Sequence, residues 1–426
     1  TAAMAAQAVL AGPCARYLLH DIRAETALLI LAPSLPFMAV SGAVRGCFLA
    51  ARRVQPNITA QLVEQLVRMA VAAAGLRLLA CWGAGYGCAA VMLGNTVSEG
   101  VSCGIMMLFA ARTPEFAPRP GAPLHPYTAR ELYGILWPVE GSRLLASALQ
   151  AAESSLIPYT LTLCTGSRTA AMAQYGALKG MALPLLFFPF SVLTALSGLL
   201  MPEITQAHIR GETGRLSALL DRMLRLTGYF SALAGAVFWV WGAAAARLFY
   251  GPDGAEAGFY LTVLGPAMPL MYLESMVDGA MKGVGEQKAV FRYSLWDAVL
   301  RIAGVMVLLP RFGMKGFLFV ILLSSVYTCL ANTARLLRVS GMRPALMRWL
   351  GAPLLAAGVS AGAGVFLREM LSGWQAGEMP EQLAALCIGC CGMGLVGLAA
   401  AWPLGLGAEV RAALHPDRAR QKAKKA

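Results

Sequence analysis

The chain has 426 residues, of which 58% are hydrophobic and 13% charged, with a mean hydropathy of +0.62. Soluble domains carry about one quarter charged residues, so this composition excludes an ordinary soluble protein. The net charge of +13 would suit a nucleic-acid partner only if it were clustered on a soluble face, and its placement in loops between apolar runs argues against that.

Apolar runs of about 20 residues, each able to cross about 30 Å of hydrocarbon, recur along the whole chain. With Gly, Pro and charged breakers as boundaries, they predict spans at 25–49, 57–80, 84–110, 128–163, 170–201, 215–247, 258–283, 289–309, 313–338, 346–370 and 383–406. The expected fold is an all-α polytopic membrane protein. Several spans carry charge where it is costly. The second, NITAQLVEQLVRMAVAAAGLRLLA, holds Glu64 and Arg68 near its middle, and the fourth holds Glu140, Arg143 and Glu153. Lys179 sits in YGALKGMALP, Glu274 and Asp278 lie in the 258–283 span, and Asp297 and Arg301 lie in the next. Each such charge costs a few kcal/mol at mid-membrane and should face protein or water rather than lipid.

Loop charge predicts orientation. With alternate loops on opposite sides, 22 Lys and Arg fall on one side and eight on the other, and five remain inside spans. This is the positive-inside pattern, and it predicts a cytoplasmic tail, RAALHPDRARQKAKKA, acting as a solvated topology anchor or contacting anionic headgroups. The cysteines of CIGCC at 387–391 lie in an apolar helix without a second ligand set, so small-residue packing is their expected role and no metal is expected. The GxxxxGK[ST] loop is absent, and no nucleophile–base constellation occurs, so neither a nucleotide-driven pump nor an enzyme is expected, and no cofactor.

Residues 32–76 align without a gap on 265–309 at an offset of 233, with nine identities in 45 positions. Pro33 falls on Pro266, Pro36 on Pro269, Gly46 on Gly279, Arg68 on Arg301, and Glu64 on Asp297. Six intervening spans give both copies one orientation, so a parallel repeat is expected, with a substrate site between the halves. The paired prolines suit either helices that bend during alternating access or packing alone.

Three stretches carry a family resemblance: PSLPFMAVSGAVRGCFLAARRVQPNITAQLVEQLVRM, YGALKGMALPLLFFPFSVLTALSGLLMPEITQAH at 175–208, and DGAMKGVGEQKAVFRYSLWDAVLRI at 278–302. The chain resembles the polysaccharide transporter branch of the multidrug/oligosaccharidyl-lipid/polysaccharide flippase superfamily, the group of stage V sporulation protein B, which is related to the lipid II flippases. The resemblance implies two six-helix bundles plus a terminal helix pair. The first two helices and most of the third are then expected to be missing from a sequence that begins TAAMAAQAVLAGPCARYLL. The implied organisation is 1–111 as the remainder of an N-terminal bundle and 112–127 as a cytoplasmic linker. A C-terminal bundle at 128–338, a helix pair at 339–406 and a basic cytoplasmic tail at 407–426 follow.

The resemblance also implies a function. Such proteins move lipid-linked oligosaccharides, carried on a polyprenyl pyrophosphate, across the bacterial cytoplasmic membrane, and the lipid II flippases do so through a cationic cavity. The expected substrate-binding residues are therefore Arg45, Arg68, Arg143, Lys179 and Arg301, because arginine matches phosphate oxygens with a planar fork. Glu64, Glu140, Glu153, Glu274, Asp278 and Asp297 would hold those bases or bind a coupling proton or sodium ion. The partners implied are the glycan substrate and membrane lipids, and no nucleic acid. Structural readings stand beside these. Glu64 with Arg68, and Asp297 with Arg301, have the favourable i, i+4 order for self-neutralising pairs, and Arg45 can snorkel to the interface. Two other functions stay open: a cation-coupled multidrug antiporter of the MATE type, favoured by the acid-rich second half, and a non-transporting scaffold for polysaccharide synthesis.

Overall fold

A computed structural model describes residues 2–18, 23–51, 53, 55–79, 83–113, 129–375 and 379–407. The described residues are almost entirely helical and contain no strand. They divide into two compact units, Thr1–Leu132 and Tyr133–Ala426. Residues 114–128, which hold nearly all of the expected linker at 112–127, and residues 408–426, nearly all of the expected tail at 407–426, lie outside the described residues.

Unit 1 comprises α1 (Ala2–Pro13), α2 (Arg23–Leu31), α3 (Ser34–Ala50), α4 (Gln55–Leu79) and α5 (Ala84–Arg112). The chain breaks between α2 and α3, where Pro33 has no N–H to continue the ladder, and Ser34 turns its hydroxyl onto the Leu31 carbonyl instead. The hairpin of α4 and α5 dominates the unit, and α3 packs on α5 around buried Phe48, Ala60 and Met106.

Unit 2 contains nearly all of α6 (Ala129–Thr165), then α7 (Arg168–Gly176), a π-helical turn at Ala177–Ala182, α8 (Leu183–Phe187) and α9 (Phe190–Ile209). The long α10 (Thr213–Tyr250), α11 (Ala255–Leu264), α12 (Met268–Gly283) and α13 (Gln287–Ser340) follow, then α14 (Ala352–Met370), the single turn α15 (Ser372–Gln375) and α16 (Met379–Ala401). Helix α10 is the centre of packing. One face meets α11 and α12 through Leu220, Met223, Leu224, Leu261 and Met268, and the other meets α14 and α16 through Ala236, Trp241, Ala361 and Met393. The terminal helix pair is thus bound into unit 2.

Among the described residues, six segments are long and apolar enough to cross a membrane, seven if the bent pair Arg168–Phe187 and Phe190–Ile209 counts as one span. The chain is a multi-pass membrane protein. The segments do not map one to one onto the eleven expected spans. Thr213–Gly283 contains two of them, and Gln287–Ser340 contains two more, folded at Gly313. Gly313 adopts φ +58°, a left-handed conformation that any side chain would strain, so the helix reverses there without a long loop. Gly83, at φ +125°, is the residue that precedes α5. The expected spans at 57–80 and 128–163 become α4 and α6, neither of which is apolar enough to be counted among those six segments. Both carry charges that this structure commits to neighbouring helices.

Candidate functional site

In unit 1, α3, α4 and α5 bring four charged side chains together. Glu64 accepts hydrogen bonds from Arg45 Nη2 and Arg68 Nη2, each at 2.6 Å, and its side chain is only 12% exposed. Arg45 also donates to the Ser102 hydroxyl at 2.7 Å, while Arg68 reaches Glu99 at 3.6 Å and the Ser98 hydroxyl at 3.4 Å. Arg45 therefore does not snorkel outward. It closes a network with one carboxylate at its hub and two arginines around it.

Unit 2 builds the corresponding place with the signs exchanged. Arg301 on α13 lies 3.2 Å from Glu153 on α6 and 3.3 Å from Asp297 one turn earlier, and the Ser324 hydroxyl donates to Asp297. Here an arginine is the hub and two acids surround it. Asp278, which aligns with Arg45, cannot join a second carboxylate and instead pairs with Lys282 at 2.6 Å.

A cavity of about 240 Å³ opens beside Arg301, enough for about eight waters. Glu153, Lys179, Glu274, Arg301, Ser324 and Ser325 supply its polar lining, and Phe187, Met271, Phe317 and Ile321 are among its apolar walls. Two local irregularities shape it. The π-helical turn at Ala177–Ala182 carries Lys179, and the Tyr250 hydroxyl donates to its Met181 carbonyl at 3.2 Å. At the break between α8 and α9, Pro189 removes an amide donor, and the Tyr272 hydroxyl donates to the Leu186 carbonyl. The same tyrosine ring stacks on Phe187, with centroids 6.1 Å apart, so one residue both mends the broken ladder and fixes a cavity wall.

Lys179 makes no ion pair among the described residues and is exposed towards this space. Glu274 faces the hydroxyls of Ser325 and Thr328. The structure thus gathers Glu153, Lys179, Glu274, Asp297 and Arg301 in unit 2, and Arg45, Glu64 and Arg68 in unit 1. Arg143 precedes Glu153 by ten residues on α6, about 15 Å along the axis, and does not line the cavity. The side chain of Glu140 lies outside the described residues. Sequence reasoning did not single out Ser98, Ser102, Ser324, Ser325 or Thr328. Hydroxyls in apolar spans usually bond to their own helix, as Thr328 does with the Ser324 carbonyl, so nothing in the sequence distinguishes those that face a cavity.

No family model matches the chain. Stage V sporulation protein B of Bacillus subtilis (strain 168) is 24% identical over 337 residues, covering 76% of this chain and 64% of that protein. Sporulation protein YkvU of the same organism is 25% identical over 180 residues, covering 42% of this chain and 40% of that protein. The chain therefore spans less than two thirds of the length of these relatives. Among solved structures, the lipid II flippase MurJ in its inward closed conformation superposes with a TM-score of 0.66 at 13% identity, over 95% of this chain and 81% of that one. The Vibrio cholerae MATE transporter VcmN in its bent form gives a TM-score of 0.56 at 14% identity, over 79% of this chain and 75% of that one. The chain is a homologue of stage V sporulation protein B, and its fold is the one seen in the MurJ flippase and the VcmN transporter.

Proposed function

We propose that the chain translocates a lipid-linked oligosaccharide, carried on a polyprenyl pyrophosphate, across the bacterial cytoplasmic membrane by alternating access. The observation that carries this reading is Arg301, a guanidinium held between two carboxylates at the edge of a polar cavity, with Lys179, which makes no ion pair among the described residues, facing the same space. An arginine in that position is available to exchange a carboxylate for a pyrophosphate oxygen without ever being left bare in a low-dielectric setting. Lys179 adds a second charge that needs no partner to be displaced. Glu153 and Asp297 hold Arg301 between cycles, and a proton or sodium ion would neutralise them when it leaves. In unit 1, Arg45 and Arg68 around Glu64 form a second network of exchangeable partners. The relationship to stage V sporulation protein B and the fold shared with MurJ support this substrate class. The arginine-rich loops and the tail then face the cytoplasm.

A second reading has its own observation. Glu153 and Glu274 line the cavity and Asp297 lies beside it, three acids against the two bases Lys179 and Arg301. That balance, with the fold shared with VcmN, suits a cation-coupled antiporter for cationic drugs. One experiment separates the two. The purified chain is placed in liposomes with lipid II, with a teichoic or exopolysaccharide precursor, and with a cationic dye, and transport is resolved by leaflet. Flipping of a lipid-linked glycan that is lost in Arg301→Gln and Lys179→Gln supports the first reading. Dye efflux without glycan flipping replaces it with the second. A protein that moves neither while it assembles normally is a scaffold.

A further inference from the structure

The start of α10, the end of α13 and the turn before α14 line a second and larger cavity, of about 610 Å³ and wide open to the outside. Ser217, Asp221, Met342, Arg343, Met347 and Arg348 are in its lining, and it shares no residue with the cavity beside Arg301. Three apolar segments begin or end here, since Thr213–Gly283 starts, Gln287–Ser340 stops and Met347–Met370 starts. The cavity therefore lies at the level where hydrocarbon gives way to headgroups.

Its charge is unbalanced by construction. Nearby Arg210, Arg215, Arg225 and Arg335 each have an acidic partner. Arg343 and Arg348 are exposed and form no ion pair among the described residues. The acid in the lining, Asp221, is already committed: one oxygen lies 2.8 Å from Arg225, and the other accepts the indole N–H of buried Trp349 at 2.7 Å. Asp221 thus braces the wall, and no acid among the described residues neutralises the two guanidinium groups. Between them in sequence, Leu346 and Met347 stand 56% and 69% exposed. Guanidinium forks suit phosphate oxygens, and exposed aliphatic side chains at a span end suit acyl chains. A free phosphate would make no use of that apolar flank.

We infer that this cavity binds the phosphate of an anionic membrane phospholipid, with Arg343 and Arg348 on its oxygens and Leu346 and Met347 against its acyl chains. The site is separate from substrate translocation and would tie the terminal helix pair to the lipid composition of its leaflet. The test uses the full chain purified in detergent, with phosphatidylglycerol, phosphatidylcholine and inorganic phosphate as probes. Retention is read by native mass spectrometry, and stabilisation is read by thermal melting. Phosphatidylglycerol should be retained and should stabilise the protein, and binding should weaken about tenfold or more in Arg343→Gln/Arg348→Gln. The charge-matched control Arg210→Gln/Arg215→Gln should bind as the native chain does. Should the site variant not fold, Ala218→Trp fills the same cavity without removing charge, and a folded Ala218→Trp protein should lose the lipid. Equal retention of phosphatidylcholine, equal loss in the control, lipid retained by Ala218→Trp, or stabilisation by inorganic phosphate alone would each overturn the inference.

Discussion

Neutralising Glu64 should destabilise the protein more than neutralising Arg68, and in unit 2 the order should reverse, with Arg301 costing more than Asp297. The sequence aligns Glu64 with Asp297 and Arg68 with Arg301, so a simple i, i+4 pair predicts the same ranking in both places. The structure does not. Glu64→Gln leaves both Arg45 and Arg68 without their 2.6 Å partner, whereas Arg68→Gln leaves Glu64 its bond to Arg45. Arg301→Gln strands Glu153 and Asp297 together, whereas Asp297→Asn leaves Arg301 its contact with Glu153. Removing one partner of a buried ion pair costs about 3–5 kcal/mol. Here Arg68 and Arg301 keep 34% side-chain exposure, so the hub substitutions belong at the low end of that range, about 3 kcal/mol. The peripheral ones should cost about 1–2 kcal/mol: Arg68→Gln loses one charge-assisted hydrogen bond to Glu64, and Asp297→Asn loses one charge contact with Arg301. Unfolding free energies from SDS titration of the four single variants provide the comparison. Equal costs within each pair, or the same ranking in both units, would refute the hub assignment. The network also rules out a charge swap as a clean test, because Glu64→Arg with Arg68→Glu would set an arginine against Arg45 and a carboxylate beside Glu99.

Lys179→Gln should leave the unfolding free energy within about 0.5 kcal/mol, since the side chain is exposed and makes no ion pair among the described residues, while glycan flipping in liposomes falls sharply; a fall in stability equal to that of Arg301→Gln would make it structural. Tyr272→Phe should cost about 1–3 kcal/mol by orphaning the Leu186 carbonyl at the α8–α9 break, measured by the same titration, and a neutral effect would show that water replaces the hydroxyl. Gly313→Ala should cost about 1–3 kcal/mol from the positive-φ backbone, increased by a Cβ only 3.2 Å from Cys164 Sγ, and should be read against Gly176→Ala, whose Cβ meets open space. A cysteine placed near Arg215 should stay unreactive to an impermeant thiol reagent in intact cells, and labelling there would reverse the proposed orientation.

Composition and period settled the class of this protein, because crossing hydrocarbon is a local demand that every stretch of about 20 residues must meet by itself. The same locality made the aligned charge pairs, the prolines before α3 and α12, and the loop-charge bias visible in one dimension. Partner choice was not visible. Glu64 meets Arg45 across 19 positions, and Arg301 meets Glu153 across 148 (301 − 153), distances at which no helical period carries information. Nor does hydropathy show that 289–309 and 313–338 meet at a single glycine, or that a tyrosine on α12 repairs a break on α8. In the membrane a charge is tolerated only where other side chains surround it, so its role depends on which helices the fold brings to that depth. That is why one sequence pattern, an acid followed four residues later by an arginine, became an acidic hub in one unit and a basic hub in the other.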